Sequence, residues 1–71
     1  MITKEHLHAN GVNYVTALRL FTCYDVQPFA VQINGQFLAR AISRDEANAM
    51  ATGAEVLLNA MGYETRIHFC E

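Results

Sequence analysis

A chain of 71 residues, 52% of them apolar, has the length of one domain and lies close to the size at which a single core is only just sufficient. Its formal net charge is −2, with seven acidic residues against five lysines and arginines, and that argues against the broad basic footprint of a general nucleic-acid binder. The opening "MITKEHLH" carries no apolar run of the length that a secretion signal or a membrane span needs. The expectation is a cytoplasmic protein with no membrane partner, whose Cys23 and Cys70 are reduced packing residues rather than a disulfide.

Residues 1–11 are read as a short helical turn ending near Gly11 or as a frayed end. The next stretch, "VNYVTALRLFTCYDV", is dense in Val, Tyr, Thr, Leu and Phe and reads better as a long strand than as a helix. Val12, Tyr14, Thr16, Leu18 and Leu20 then share one face, and Asn13, Val15, Ala17, Arg19 and Phe21 the other. Pro28 marks a new segment or a sheet edge.

"AVQINGQFLARA" at 30–41 reads as a hairpin around Asn34 and Gly35. A two-residue turn would pair Val31 with Leu38. A three-residue loop with Gly35 as a bulge would pair Val31 with Phe37 and Phe29 with Ala39. The second register gathers Phe29, Val31, Phe37, Ala39 and Ala41 on one face and leaves Gln32, Gln36, Leu38 and Arg40 on the other. The burial term favours it, because a slip of one residue sends polar side chains into the core.

"SRDE" at 43–46 is a capping box: the Ser43 hydroxyl accepts from the residue 46 amide while Glu46 reaches back toward Ser43. A helix over 44–61 follows, with Ala47, Met50, Ala51, Ala54, Leu57, Leu58 and Met61 as its inner stripe and Asp45, Asn48, Thr52, Glu55 and Asn59 outside. Gly62 suits a left-handed cap. Gly53 sits mid-helix, and close packing on the sheet is its simplest explanation. "YETRIHF" then alternates as a half-buried strand, Thr65, Ile67 and Phe69 facing one way and Arg66, His68 and Cys70 the other.

These elements give a single α+β domain over 1–71: a small antiparallel sheet of first strand, hairpin and last strand, packed on one amphipathic helix. One helix covers one face of such a sheet. The other face is expected to present Arg19, Phe21, Gln32, Gln36, Leu38, Arg40, Arg66 and His68. Three of the four arginines would lie there, opposite a helix bearing Asp45, Glu46 and Glu55.

Catalytic chemistry finds little footing. Ser43 is the only serine and is committed to the cap, and no nucleophile elbow, phosphate loop, paired catalytic carboxylate or dinucleotide fingerprint is present. His68 and Cys70 share a strand face without a third orienting group. His6, His8, His68 and Cys70 would make a zinc set only if the N-terminus crossed the last strand, and neither pair has finger spacing. No catalytic residue, metal or cofactor is therefore assigned. The expectation is a binding protein whose open sheet face meets a second copy of itself or a host protein with an acidic surface, since arginine presents a planar fork suited to carboxylates. A nucleic-acid binder using Arg19, Phe21, Arg40 and Arg66 is the first alternative, and a small zinc or thiol protein the second.

Three resemblances bear on these expectations. "FAVQI" followed by "SRDEANAMATGAEVLLNAMGYETRI" resembles the second half of bacterial SPOR domains, where a Val-Gln strand is followed by a helix ending in Gly-Tyr and a final strand, and this implies a peptidoglycan-binding sheet. The strand-strand-helix order is loosely similar to double-stranded RNA-binding domains, although "SRDEAN" stands where their last helix begins with lysines. In size, acidity and lack of motifs the chain resembles small phage and prophage proteins that inhibit host defence, anti-CRISPR proteins among them. That resemblance implies an inhibitor or adaptor acting by steric docking on a host protein, and it assigns no residues.

Overall fold

The computed structural model describes residues 4–20 and 26–70. Strands β1 (Val12–Arg19), β2 (Phe29–Ile33) and β3 (Gln36–Ala41) are followed by helix α1 (Arg44–Ala60) and strand β4 (Glu64–Cys70), with a 3-10 turn at Lys4–His6 ahead of them. The α+β architecture expected from the sequence is observed: a four-stranded sheet in the order β3-β2-β1-β4, with α1 packed on it.

The sheet is mixed rather than wholly antiparallel. β1, β2 and β3 form an antiparallel meander, whereas β4 runs parallel to β1 along Val12↔Glu64 to Leu18↔Cys70. The reason is the helix. β3 ends at one edge of the sheet, and α1 carries the chain back over β2 and β1 so that β4 starts again from the same end. A crossover of this kind needs a dozen or more residues, and the 17-residue helix supplies them.

Both ends of α1 are built as the sequence dictates. Ser43 is extended (φ −145°, ψ 163°) and its hydroxyl accepts from the Glu46 amide at 3.1 Å, while the Glu46 carboxylate reaches back to the Ile42 amide at 3.4 Å, one residue further than expected. At the other end Gly62 has φ 96°, Tyr63 N–H donates to Leu58 O at 3.0 Å, and Gly62 N–H donates to Asn59 O at 3.1 Å. That is the paired Schellman closure, and Tyr63 also packs on the core beside Leu58.

The core is made of small residues. Val15, Ala17, Val31, Ile33, Ala41, Ala47, Ala51 and Leu58 form one buried cluster, with Leu7, Phe29, Met50, Ala54, Tyr63 and Ile67 packed around it. Leu57 (61% exposed) and Met61 (56%) lie outside it, so the expected inner stripe is too wide by one flank. Gly53 is exposed too, and a Cβ there would meet no atom within 4 Å, so packing on the sheet is not its explanation. Among the described residues, no helix is long and apolar enough to cross a membrane.

Candidate functional site

Directly paired residues share a sheet face, so the registers determine what each side presents. Val15 lies opposite Ile33 and Ile67, and Ala17 opposite Val31 and Phe69, so this face of β1 is the one under α1. The assignment for the first strand is therefore corrected: Asn13, Val15 and Ala17 face the helix, and Tyr14, Thr16 and Leu18 face the open side. Arg19, expected on the open face, shares the helix side with Val15 and Ala17, sitting opposite Phe29 with its guanidinium carbon 5.9 Å from the ring centroid. Phe21 and Cys23 lie outside the described residues.

Two features made the buried face look like the wet one. Asn13 is fully buried, yet its amide group is saturated: Oδ1 accepts from the His8 amide at 2.7 Å and from Asn34 Nδ2 at 2.9 Å, and Nδ2 donates to His8 O at 3.1 Å and Glu64 O at 3.3 Å. A buried polar group so paired carries little penalty. Ala17 faces a helix stripe of Ala47 and Ala51, and this small-residue contact leaves Val15, Val31 and Leu58 to fill the layer. A Tyr14 ring in that layer would need a partner for its hydroxyl.

The hairpin holds a surprise of register. Asn34 (φ 51°) and Gly35 (φ 85°) both occupy the left-handed region, as a two-residue type I′ turn requires, and Ile33↔Gln36 and Gln32↔Phe37 follow from it. Beyond them the ladder shifts at Val31/Gln32, continuing as Val31↔Ala39, Ala30↔Arg40 and Phe29↔Ala41, with Leu38 as the extra residue. The expected Gly35 bulge and its Val31–Phe37 and Phe29–Ala39 pairs are therefore not formed; the irregularity lies inside β3. It lets Val31, Ala39 and Ala41 keep the core face while Phe37 crosses to the open face beside Gln32. Gln36, opposite Ile33, leaves the open face for the helix side at the hairpin tip.

The side away from α1 thus carries the row Phe37–Gln32–Thr16–His68 across all four strands, with Tyr14–Arg66 below it and Arg40–Ala30–Leu18 above. Ala30 is fully buried there and Thr16, Leu18 and Gln32 are half-buried, so this side is open at its Tyr14 and Phe37 end and closed over Ala30. Tyr14 is 52% exposed and Phe37 54%; Leu38, Arg66 and His68 are exposed as well. Arg66 lies 3.5 Å from Glu64 on the same strand, a solvated pair. Arg40 is half-buried and donates to Gln27 O from Nε (3.2 Å) and Nη2 (2.8 Å), holding the chain after Val26 onto the sheet. Of the eight residues expected on this face, Gln32, Arg40, Arg66 and His68 are placed there by pairing, and Leu38 is exposed at the bulge. Tyr14, Thr16, Leu18 and Phe37 were missed.

No α-helix among the described residues covers this side. The N-terminal segment crosses at the hairpin end instead, where Asn34 Nδ2 donates to His6 O at 2.7 Å and Leu7 packs on the core. His6 and His8 are therefore held near Asn13, which pairs with Thr65, three positions before His68 on β4. Among the described residues, no three His, Cys, Asp or Glu side chains come together as metal ligands. A recess of about 220 Å³ opens between the start of α1 and the sheet, lined by Ala17, Phe29, Ala47, Asn48 and Phe69. Its volume is below the range typical of small-molecule sites. No protein-family model, curated protein or solved structure matches this chain.

Proposed function

We propose that the protein is a non-enzymatic binding module of the cytoplasm, which docks on another protein through the open sheet face. The observation that carries this reading is the pair of half-exposed aromatic rings, Tyr14 and Phe37, set on a rigid sheet surface between Arg66 and His68 on one edge and Leu38 on the other. Aromatic rings held on strands lose little conformational freedom on binding, and tyrosine and arginine are enriched among the anchoring residues of protein interfaces. The cations of the face suit a partner with carboxylates nearby. Charge is the lesser contribution, because Arg66 has Glu64 beside it and Arg40 is engaged with Gln27. Steric inhibition of a bacterial host protein, as in the anti-defence proteins the chain resembles, is the use of such a module that we favour.

The test is retention of a host protein by immobilised chain. Tyr14→Ala and Arg66→Glu replace exposed side chains; each is expected to leave the circular dichroism spectrum unchanged and to abolish retention. Retention by both variants would remove the open face from the account. If nucleic acid is retained in place of protein, and is released steeply as salt rises, the nucleic-acid alternative replaces this reading.

A further inference from the structure

The recess at the start of α1 is separate from the open sheet face, and the strand registers explain its shape. Phe69 on β4 pairs with Ala17, and Phe29 on β2 pairs with Arg19, the next residue of β1 on that face. Adjacent strands lie about 4.8 Å apart, so the two phenylalanines flank Ala17 with about 10 Å between their strands. Ala17 has only a methyl group to fill that interval, and Ala47, packed over it from α1, has no more. The volume of about 220 Å³ is what these two alanines leave between the rings, with Asn48 and Arg44 on the helix side. That is below the range of drug-sized sites, but an apolar cavity of roughly 150 Å³ is enough to take up a benzene ring. A ring with one small substituent fits. Charge narrows the choice. Arg44 and Asn48 are four residues apart and project from the same side of α1, Arg19 holds a second guanidinium over Phe29, and among the described residues lining the recess there is no carboxylate.

We propose that this recess is a binding site for a monocyclic aromatic carboxylate. The ring rests on Ala17 and Ala47 between Phe29 and Phe69, in the offset or edge-on contacts that aromatic pairs prefer. The carboxylate lies at the mouth, accepting from the Arg44 guanidinium and from the Asn48 side-chain amide, a planar anion against a planar donor fork. Binding covers the Phe69 ring, which is 53% exposed without it. Tyr14 and Phe37 stand on the opposite side of the sheet, so the site goes beyond the protein-docking reading and does not depend on it.

Titration of the isotopically labelled chain with benzoate, followed by nuclear magnetic resonance, tests the proposal. Saturable shifts are expected at Ala17, Ala47, Asn48 and Phe69, with a dissociation constant in the millimolar range that so few ligand atoms can supply. Benzamide has the same shape without the charge and is expected to bind about fivefold more weakly, the scale of an ion pair at a solvated rim. Arg44→Gln is expected to bring benzoate to the level of benzamide while leaving benzamide unchanged. Asn48→Phe fills the recess from its half-buried wall and should abolish binding of both; Phe69→Ala, which removes a half-exposed wall, makes the same comparison if Asn48→Phe does not fold. Shifts that do not saturate, or that centre on Tyr14 and Phe37, overturn the proposal. So does benzamide that binds as tightly as benzoate, and so does full affinity in a folded Asn48→Phe or Phe69→Ala chain.

Discussion

Asn34 serves two structures at once. Its left-handed backbone opens the type I′ turn, and its side chain accepts from the Tyr14 amide at 2.9 Å while donating to Asn13 Oδ1 and to His6 O. Through Asn13 the same network reaches His8 and the first residue of β4. Two asparagines therefore fix the hairpin tip, the N-terminal segment and the last strand against one another. Asn13→Ala would leave the His8 amide and the Glu64 carbonyl without these partners, and we expect a loss of about 2–3 kcal/mol in urea unfolding with an unchanged slope. A loss within about 0.5 kcal/mol would mean that water replaces the amide and that the network is not a structural tie. In the sequence, Asn34-Gly35 is recognisable as a turn from its chemistry alone. The role of Asn13 is not, because a lone asparagine on a strand reads as solvated until its partners, up to 51 residues away in the chain, are brought beside it.

Among the elements, α1 was the most legible, since its cap, its stripe and its closing glycine are all local signals. The error lay in width. An apolar stripe at helical spacing does not say how much of itself the sheet will cover, and Leu57 and Leu58 are adjacent in sequence yet differ from 61% to 7% exposure. Leu58→Ala should destabilise by about 2–5 kcal/mol, while Leu57→Ala should stay within about 0.5 kcal/mol in dilute solution. Equal losses at the two positions would require a differently rotated helix. The bulge at Leu38 was beyond local reading for another reason. Turn chemistry fixes the register only at the tip, and the demand that Val31, Ala39 and Ala41 share the core then moves the slip into the strand itself. One displaced residue turned Phe37 from a core candidate into a surface ring.

At the scale of the whole molecule, the division into a sheet face under the helix and a face away from it is legible from one helix and four strands, but the side of β1 that faces the helix is not. Alternation gives two faces without saying which is inside; the choice was settled by the Ala17 contact with the alanines of α1 and by the satisfied Asn13. The electrical asymmetry survives in weaker form, with Arg40 and Arg66 on the open side, the latter beside Glu64, and Asp45, Glu46 and Glu55 against Arg44 on the helix. The binding proposal needs the Tyr14 side of the sheet to be wet in solution. Relaxation of side-chain resonances by a soluble nitroxide measures this directly. The account requires strong broadening at Tyr14, Phe37 and His68 with protection at Val15, Val31 and Ala51; protection of Tyr14 and His68 to the same degree as Val15 would contradict it.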